Sequence, residues 1–138
     1  MEGVVVKRIA RHPDERGYFA ELMKEGEPGF HAIAQTSYAI TNPGVIKAFH
    51  FHEYWETWVV LRGEARIVMY DAREGSVTKG VTQVLLAGEK NPIVLSVPPN
   101  VAHGYQVIRF SNPQILQELP AVLETILIAC EAGKSPSP

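Results

Sequence analysis

The sequence predicts an all-β domain, on two observations. Turn signals built from Gly, Pro, Asn and Asp recur at intervals of about ten residues. The runs between them are short, apolar and rich in β-branched residues, which suits pleated, half-buried strands. No internal repeat is visible. An antiparallel sandwich or barrel is the architecture such a pattern favours.

The elements follow in order. Gly3–Ile9 is a β-branched run and a first strand. HPDERG is a turn, after which Tyr18–Leu22 resumes, and KEGEPG is a loop. His31–Ile40 alternates loosely until TNPG breaks it. Val45–His52 reads as a strand. Thr57–Leu61 and Ala65–Tyr70 flank Arg62-Gly63-Glu64, a tight hairpin signal. Val81–Leu86, Ile93–Val97 and Ala102–Ile108 are three more strands, and Gln114–Leu119 another. PAVLETILIACEAG fits a short helix, with Pro120 at its start and Gly133 at its end, or a strand. The expected organisation is one domain over residues 1–133 and a disordered polar tail, KSPSP, over 134–138.

Composition narrows the function classes. A chain of 138 residues with 46% apolar content can bury a core. The net charge of −2 gives no basic footprint for nucleic acid. Cys130 is the sole cysteine, so no internal disulfide forms and a reducing compartment fits. The N-terminal stretch is too polar for a signal peptide, and no apolar run reaches the length of a membrane helix. The expected location is the cytoplasm, without a membrane partner.

The chemistry concentrates between Gly44 and Gly63. Five residues separate Gly44 from His50, one separates His50 from His52, three separate His52 from Glu56, and six separate Glu56 from Gly63. On a strand, side chains alternate with period two, so His50 and His52 point to one side, and Glu56 can return there after a bend. His103, in V-P-P-N-V-A-H-G, is the candidate fourth member. His50, His52, Glu56 and His103 offer only N and O donors, which suits Mn, Fe, Co, Ni, Cu or Zn. His12 and His31 lie in or beside loops and read as solvated. Trp55, Trp58, Phe49 and Phe51 read as core or interface residues.

The Gly44–Gly63 spacing resembles the first cupin motif at every defined position, which implies a double-stranded β-helix, a small jelly-roll barrel, with its site in the barrel mouth. The second motif is matched in part: Asn100 stands at a glycine position and Val107 at an Asn position. More of the chain, from about Asp14 to Val107, resembles the cupin family of dTDP-4-dehydrorhamnose 3,5-epimerase. The likeness rests on D-E-R-G-Y-F-A-E, Q-T-S, N-P-G-V-I-K-A-F-H-F, D-A-R-E-G-S-V-T-K-G and P-P-N-V-A-H-G-Y.

That resemblance implies roles. Arg16, Glu21 and Gln35 match positions that bind the nucleotide-sugar; a surface ion pair is the alternative for Arg16 and Glu21. Ser37 stands in place of Asn. Lys47 stands in place of Arg, keeping the charge but losing the bidentate fork for phosphate. His50 matches the catalytic base and His103 a histidine of the same pocket. The family also implies a homodimer formed by strand exchange involving Gly3–Ile9. Departures are as informative. His52 replaces Gln, and Glu56 replaces the Lys that supports the enolate oxygen. The family's Tyr acid falls on Leu116, and its later Asp lies in a C-terminal region that this shorter chain does not span. An anion beside an enolate oxygen destabilises it, whereas a cation bound by the same quartet would polarise a carbonyl. His50 cannot serve as both ligand and free base; Tyr105 and Glu118 are the other proton-transfer candidates. Three functions follow: a metal-assisted epimerase or isomerase of a nucleotide-linked keto sugar, a metal-dependent cupin enzyme of another class such as a dioxygenase, and a non-catalytic sugar-binding cupin.

Overall fold

In the computed structural model the described residues are 1–108. The expected strand Gln114–Leu119, the helix or strand over 120–133, the tail over 134–138, and Leu116 and Glu118 lie outside them. Nine strands run in the order β1 (Val5–Arg8), β2 (His12–Asp14), β3 (Gly17–Phe19), β4 (Ile46–His50), β5 (Glu56–Val59), β6 (Glu64–Asp71), β7 (Thr82–Gly88), β8 (Ile93–Val97) and β9 (Val101–Ile108). They form a three-stranded sheet, β1-β8-β5, a four-stranded sheet, β4-β9-β6-β7, and the small pair β2-β3, with every pairing antiparallel.

The two larger sheets share one core. Ile67 and Met69 of β6, Ala87 of β7, Ile93, Leu95 and Val97 of β8 and Val101 of β9 form a single buried cluster, against which Trp58, Leu85 and Tyr105 pack. The alternation of β7 shows why the four-stranded sheet forms: Thr82, Val84 and Leu86 are exposed, while the residues between them turn inward. β8 lacks this alternation and is buried throughout. Its second face is covered by the segment before residue 30, where Ser96 donates a hydrogen bond to the Gly29 carbonyl at 2.8 Å. Lys7 pins that segment through Glu27 at 2.5 Å.

Three local expectations are corrected. Arg62-Gly63-Glu64 is not a hairpin: β5 pairs with β8, and β6 pairs with β7 and β9. The chain instead crosses between sheets here, and Gly63 supplies the positive φ of 76° that the turn requires. His31–Ile40 is not a strand, because no strand within the described residues pairs with it. Ile33, Tyr38 and Ile40 on it are consequently exposed. Residues read as the HPDERG turn form a two-residue hairpin between β2 and β3, in which the Asp14 carboxylate accepts from the Arg16 backbone N–H at 2.8 Å.

Asp71, at the end of β6, is fully buried and satisfied. Arg73 grips it with Nε and Nη2 at 2.9 and 2.8 Å, and the hydroxyls of Ser76 and Thr78 each donate to Oδ2 at 2.6 Å. The Arg73 guanidinium, aided by both hydroxyls, holds the Asp71 carboxyl far below the usual carboxylate range despite burial. A carboxylate whose folded pKa is depressed stabilises the fold above its unfolded pKa, and that contribution fades as pH falls below it. Asp71→Asn is therefore expected to cost about 3 kcal/mol at neutral pH, leaving Arg73 without its anion. Denaturant unfolding checks this: the gap between wild type and variant should begin to shrink below about pH 4, as the Asp71 carboxylate of the unfolded chain takes up a proton that the native one still refuses.

Candidate functional site

The site is built where β4, β5 and β9 meet. His103 of β9 faces inward because it shares a ladder position with core residue Met69 of β6. On its other side it lies directly across from His50 of β4. Glu56 opens β5 and is paired with Val97. His52 lies in the connection after β4, and its backbone carbonyl accepts a hydrogen bond from the Asn100 N–H at 2.7 Å. Asn100 adopts a φ of 62° in the turn between β8 and β9, a conformation that Asn tolerates better than most residues. That turn thereby ties the His52 loop to the strand carrying His103.

Three of the four residues in the expected quartet converge. His52, Glu56 and His103 can each place one ligand atom so that all lie within 4.8 Å of one another. His103 Nε2 is 2.5 Å from Glu56 Oε2, and His52 Nε2 is 3.6 Å from Glu56 Oε1. His50 stands beside this trio. Its ring centre is 6.1 Å from that of His52 and 6.3 Å from that of His103. β4 changes register between Lys47 and His50 and ends at His50, so simple alternation does not govern the pair. The two imidazoles nonetheless lie nearly parallel, 6° apart.

His103 is the most constrained member, with its side chain 2% exposed. Nδ1 lies 2.8 Å from the Val101 carbonyl oxygen. Burial pushes its pKa below the ordinary imidazole value, opposed by the Val101 carbonyl and the Glu56 carboxylate. Trp58 presents its edge to the ring at 4.8 Å and to Tyr105 at 5.6 Å, walling the inner side of the site. Despite their separation, no hydrogen bond joins His103 Nε2 and Glu56 Oε2, and both are buried without another partner.

The remaining expected residues are spread more widely. Lys47 is exposed and faces Tyr105 across the ladder, and the Tyr105 hydroxyl shares a 2.9 Å hydrogen bond with Thr41. Arg16 is exposed on the β2–β3 hairpin and pairs with Asp14 at 2.6 Å, not with Glu21. Glu21, Gln35 and Ser37 are exposed on segments outside the strands. Phe51 is exposed, while Phe49 is half-buried against a small pocket lined by Ile46, Arg66 and Val68. His31 is not solvated: its ring stacks on Trp55 at 3.7 Å, and its Nε2 is buried. Nothing in the local sequence marks that stack, since the two residues are distant along the chain. Thr41 and the wall formed by Trp58 were likewise not singled out by motif spacing.

Comparisons with known proteins bear on the fold and the family. The family model of dTDP-4-dehydrorhamnose 3,5-epimerase matches residues 1–114. The spore coat polysaccharide biosynthesis protein SpsL of Bacillus subtilis is 47% identical over 109 residues, covering 78% of this chain and 72% of that protein. The probable low-salt glycan biosynthesis epimerase Agl13 of Haloferax volcanii is 29% identical over 123 residues, covering 87% and 78%. The crystal structure of a dTDP sugar isomerase from Desulfovibrio desulfuricans superposes with a TM-score of 0.71 at 26% identity, covering 77% of this chain and 69% of that one. The all-β cupin barrel is thus shared with solved sugar isomerases, and this chain belongs to the dTDP-4-dehydrorhamnose 3,5-epimerase family, a family of sugar-epimerising enzymes.

Proposed function

We propose that this chain epimerises or isomerises a nucleotide-linked keto sugar or a related small molecule, with His50 as the base. The observation that carries the reading is the position of His50. It sits exposed at the mouth, across the β4–β9 ladder from His103 and outside the His52–Glu56–His103 trio. An imidazole there is free to take the proton from the carbon next to a ketone. Lys47 lies one bulge away on the same strand and offers its ammonium to a phosphate. Arg16, Glu21 and Gln35 line the approach in this reading, and His103 borders the pocket. Trp58 keeps bulk water from the inner wall.

The reading also includes a source of positive charge. Family members act without a metal cofactor, but Glu56 stands where the resemblance places a lysine. A divalent transition cation, among Mn, Fe, Co, Ni, Cu and Zn, bound at the mouth would polarise the substrate carbonyl. The rest of the description is one domain that works as a homodimer in the cytoplasm. Exposed Ile33, Tyr38 and Ile40, on a segment without a strand partner among the described residues, support a second copy.

One observation favours a second reading. Two histidines and one carboxylate are also the ligand set of non-haem Fe(II) oxygenases. Oxygen uptake by iron-loaded protein in the presence of substrate would favour that reading.

Solvent exchange tests the first. Wild-type protein incubated in deuterium oxide with a dTDP-linked 4-keto-6-deoxy sugar should incorporate deuterium next to the carbonyl, followed by NMR. His50→Ala should slow incorporation by about 100-fold or more. Incorporation by the variant at the wild-type rate would remove His50 from the role. Light scattering of the purified chain should give the mass of two copies; a single-copy mass would contradict the homodimer.

A further inference from the structure

We propose that His52, Glu56 and His103 form a resident three-ligand site for one divalent transition metal ion, and that His50 is not among its ligands. The inference deepens the reading above by assigning the cation's ligands, but it stands on independent geometry.

The first support is the tautomer of His103. Nδ1 lies 2.8 Å from the Val101 carbonyl oxygen, which can only accept, so Nδ1 carries the hydrogen. In the neutral ring Nε2 is then a lone pair. It faces a carboxylate oxygen at 2.5 Å. Two acceptors at that separation repel unless a proton or a cation reconciles them. No hydrogen bond joins the two atoms, and neither has another partner. Both atoms are buried, so water does not relieve them.

The second support is the immediate surroundings. A metal-bound histidine usually donates its other ring N–H to a carbonyl or carboxylate, which fixes its orientation. Val101 supplies that carbonyl, and the edge of Trp58 packs at 4.8 Å to hold the ring in plane. His52 brings the third donor. Its Nε2 is 3.6 Å from Glu56 Oε1, and its side chain is 30% exposed, so it has room to close on an ion. Bonds of about 2.0–2.2 Å to N and O require Glu56 Oε2 and His103 Nε2 to part by roughly 0.5–1 Å, while His52 already stands at a fitting distance from Glu56.

The third support is the donor set. Nitrogen donors disfavour Ca²⁺ and Mg²⁺, which take oxygen. Three protein ligands leave a coordination position open, as in catalytic rather than structural sites. His50 places no ring nitrogen within the 4.8 Å that the donor atoms of the trio share, and is left outside. The four-ligand set expected from spacing thus divides into three ligands and one free imidazole.

Metal uptake tests this without reference to turnover. Untagged protein is stripped with a chelator and titrated with Co²⁺, following visible absorption, and with Zn²⁺ by calorimetry. Wild type should bind one equivalent. Glu56→Gln should weaken binding by more than about 100-fold, beyond the roughly 10–100-fold that loss of an outer group costs, while His50→Ala, which removes neither a ligand nor a hydrogen bond to one, should stay within about threefold. Should Glu56→Gln fail to fold by circular dichroism, His52→Ala, at a more exposed position, takes its place with the same expectation. No uptake by wild type, or undiminished uptake by the ligand variants, overturns the site. Loss of binding in His50→Ala overturns the three-ligand assignment. The outcomes separate from those of the epimerase reading: a protein that binds cobalt but exchanges no deuterium keeps the site and loses the reading, and the converse keeps only the reading.

Discussion

A buried imidazole must have both ring nitrogens satisfied, or the fold carries the cost of stripping water from them. His103 meets half of this requirement locally, through the carbonyl of Val101 two residues away. The other nitrogen faces Glu56 on a different sheet, close but without a hydrogen bond. That contact links β9 to β5 at the mouth of the barrel, and the surroundings are organised around it. Trp58 braces the ring from below, the Asn100 turn draws in the backbone of His52, and the His52 side chain closes the outer side.

The same contact explains why a likeness to an epimerase family does not by itself define the chemistry. Where the family pattern carries a lysine, this chain carries a carboxylate, and a carboxylate next to an enolate oxygen opposes the charge that must develop there. The carboxylate is not left to face the substrate alone. It is turned towards two histidines, one of them locked with a lone pair pointing at it. A site of this composition concentrates donors and provides no positive charge of its own. In the proposed reading a divalent cation would supply the missing charge and reconcile the facing lone pairs. His50, set apart by the register shift in β4, would keep the proposed proton-transfer role separate.

Much of this was legible in the residues. The spacing from Gly44 to Gly63 pointed to the converging donors, and the turn rhythm located most strand cores to within a few residues. What escaped depended on partners distant in sequence. Arg62-Gly63-Glu64 has the composition of a hairpin, but β5 finds a better partner in β8, so the glycine makes a crossing between sheets. His31–Ile40 alternates like a strand yet pairs with none among the described residues. Period two places His50 and His52 on one side; a register shift in β4 and its end at His50 leave only His52 among the converging donors, although the two rings stay nearly parallel. The buried Asp71 network was hidden because its members look like ordinary loop residues until the loop folds back over them.

The central claim is that a bound cation does at Glu56 what a lysine does elsewhere in the family. The most direct measurement returns metal stepwise to chelator-stripped protein and records, at each step, both metal content and the rate of deuterium incorporation next to the substrate carbonyl. The account predicts a negligible rate in stripped protein, rising in proportion to occupancy and levelling at one equivalent. Full exchange in metal-free protein would contradict it.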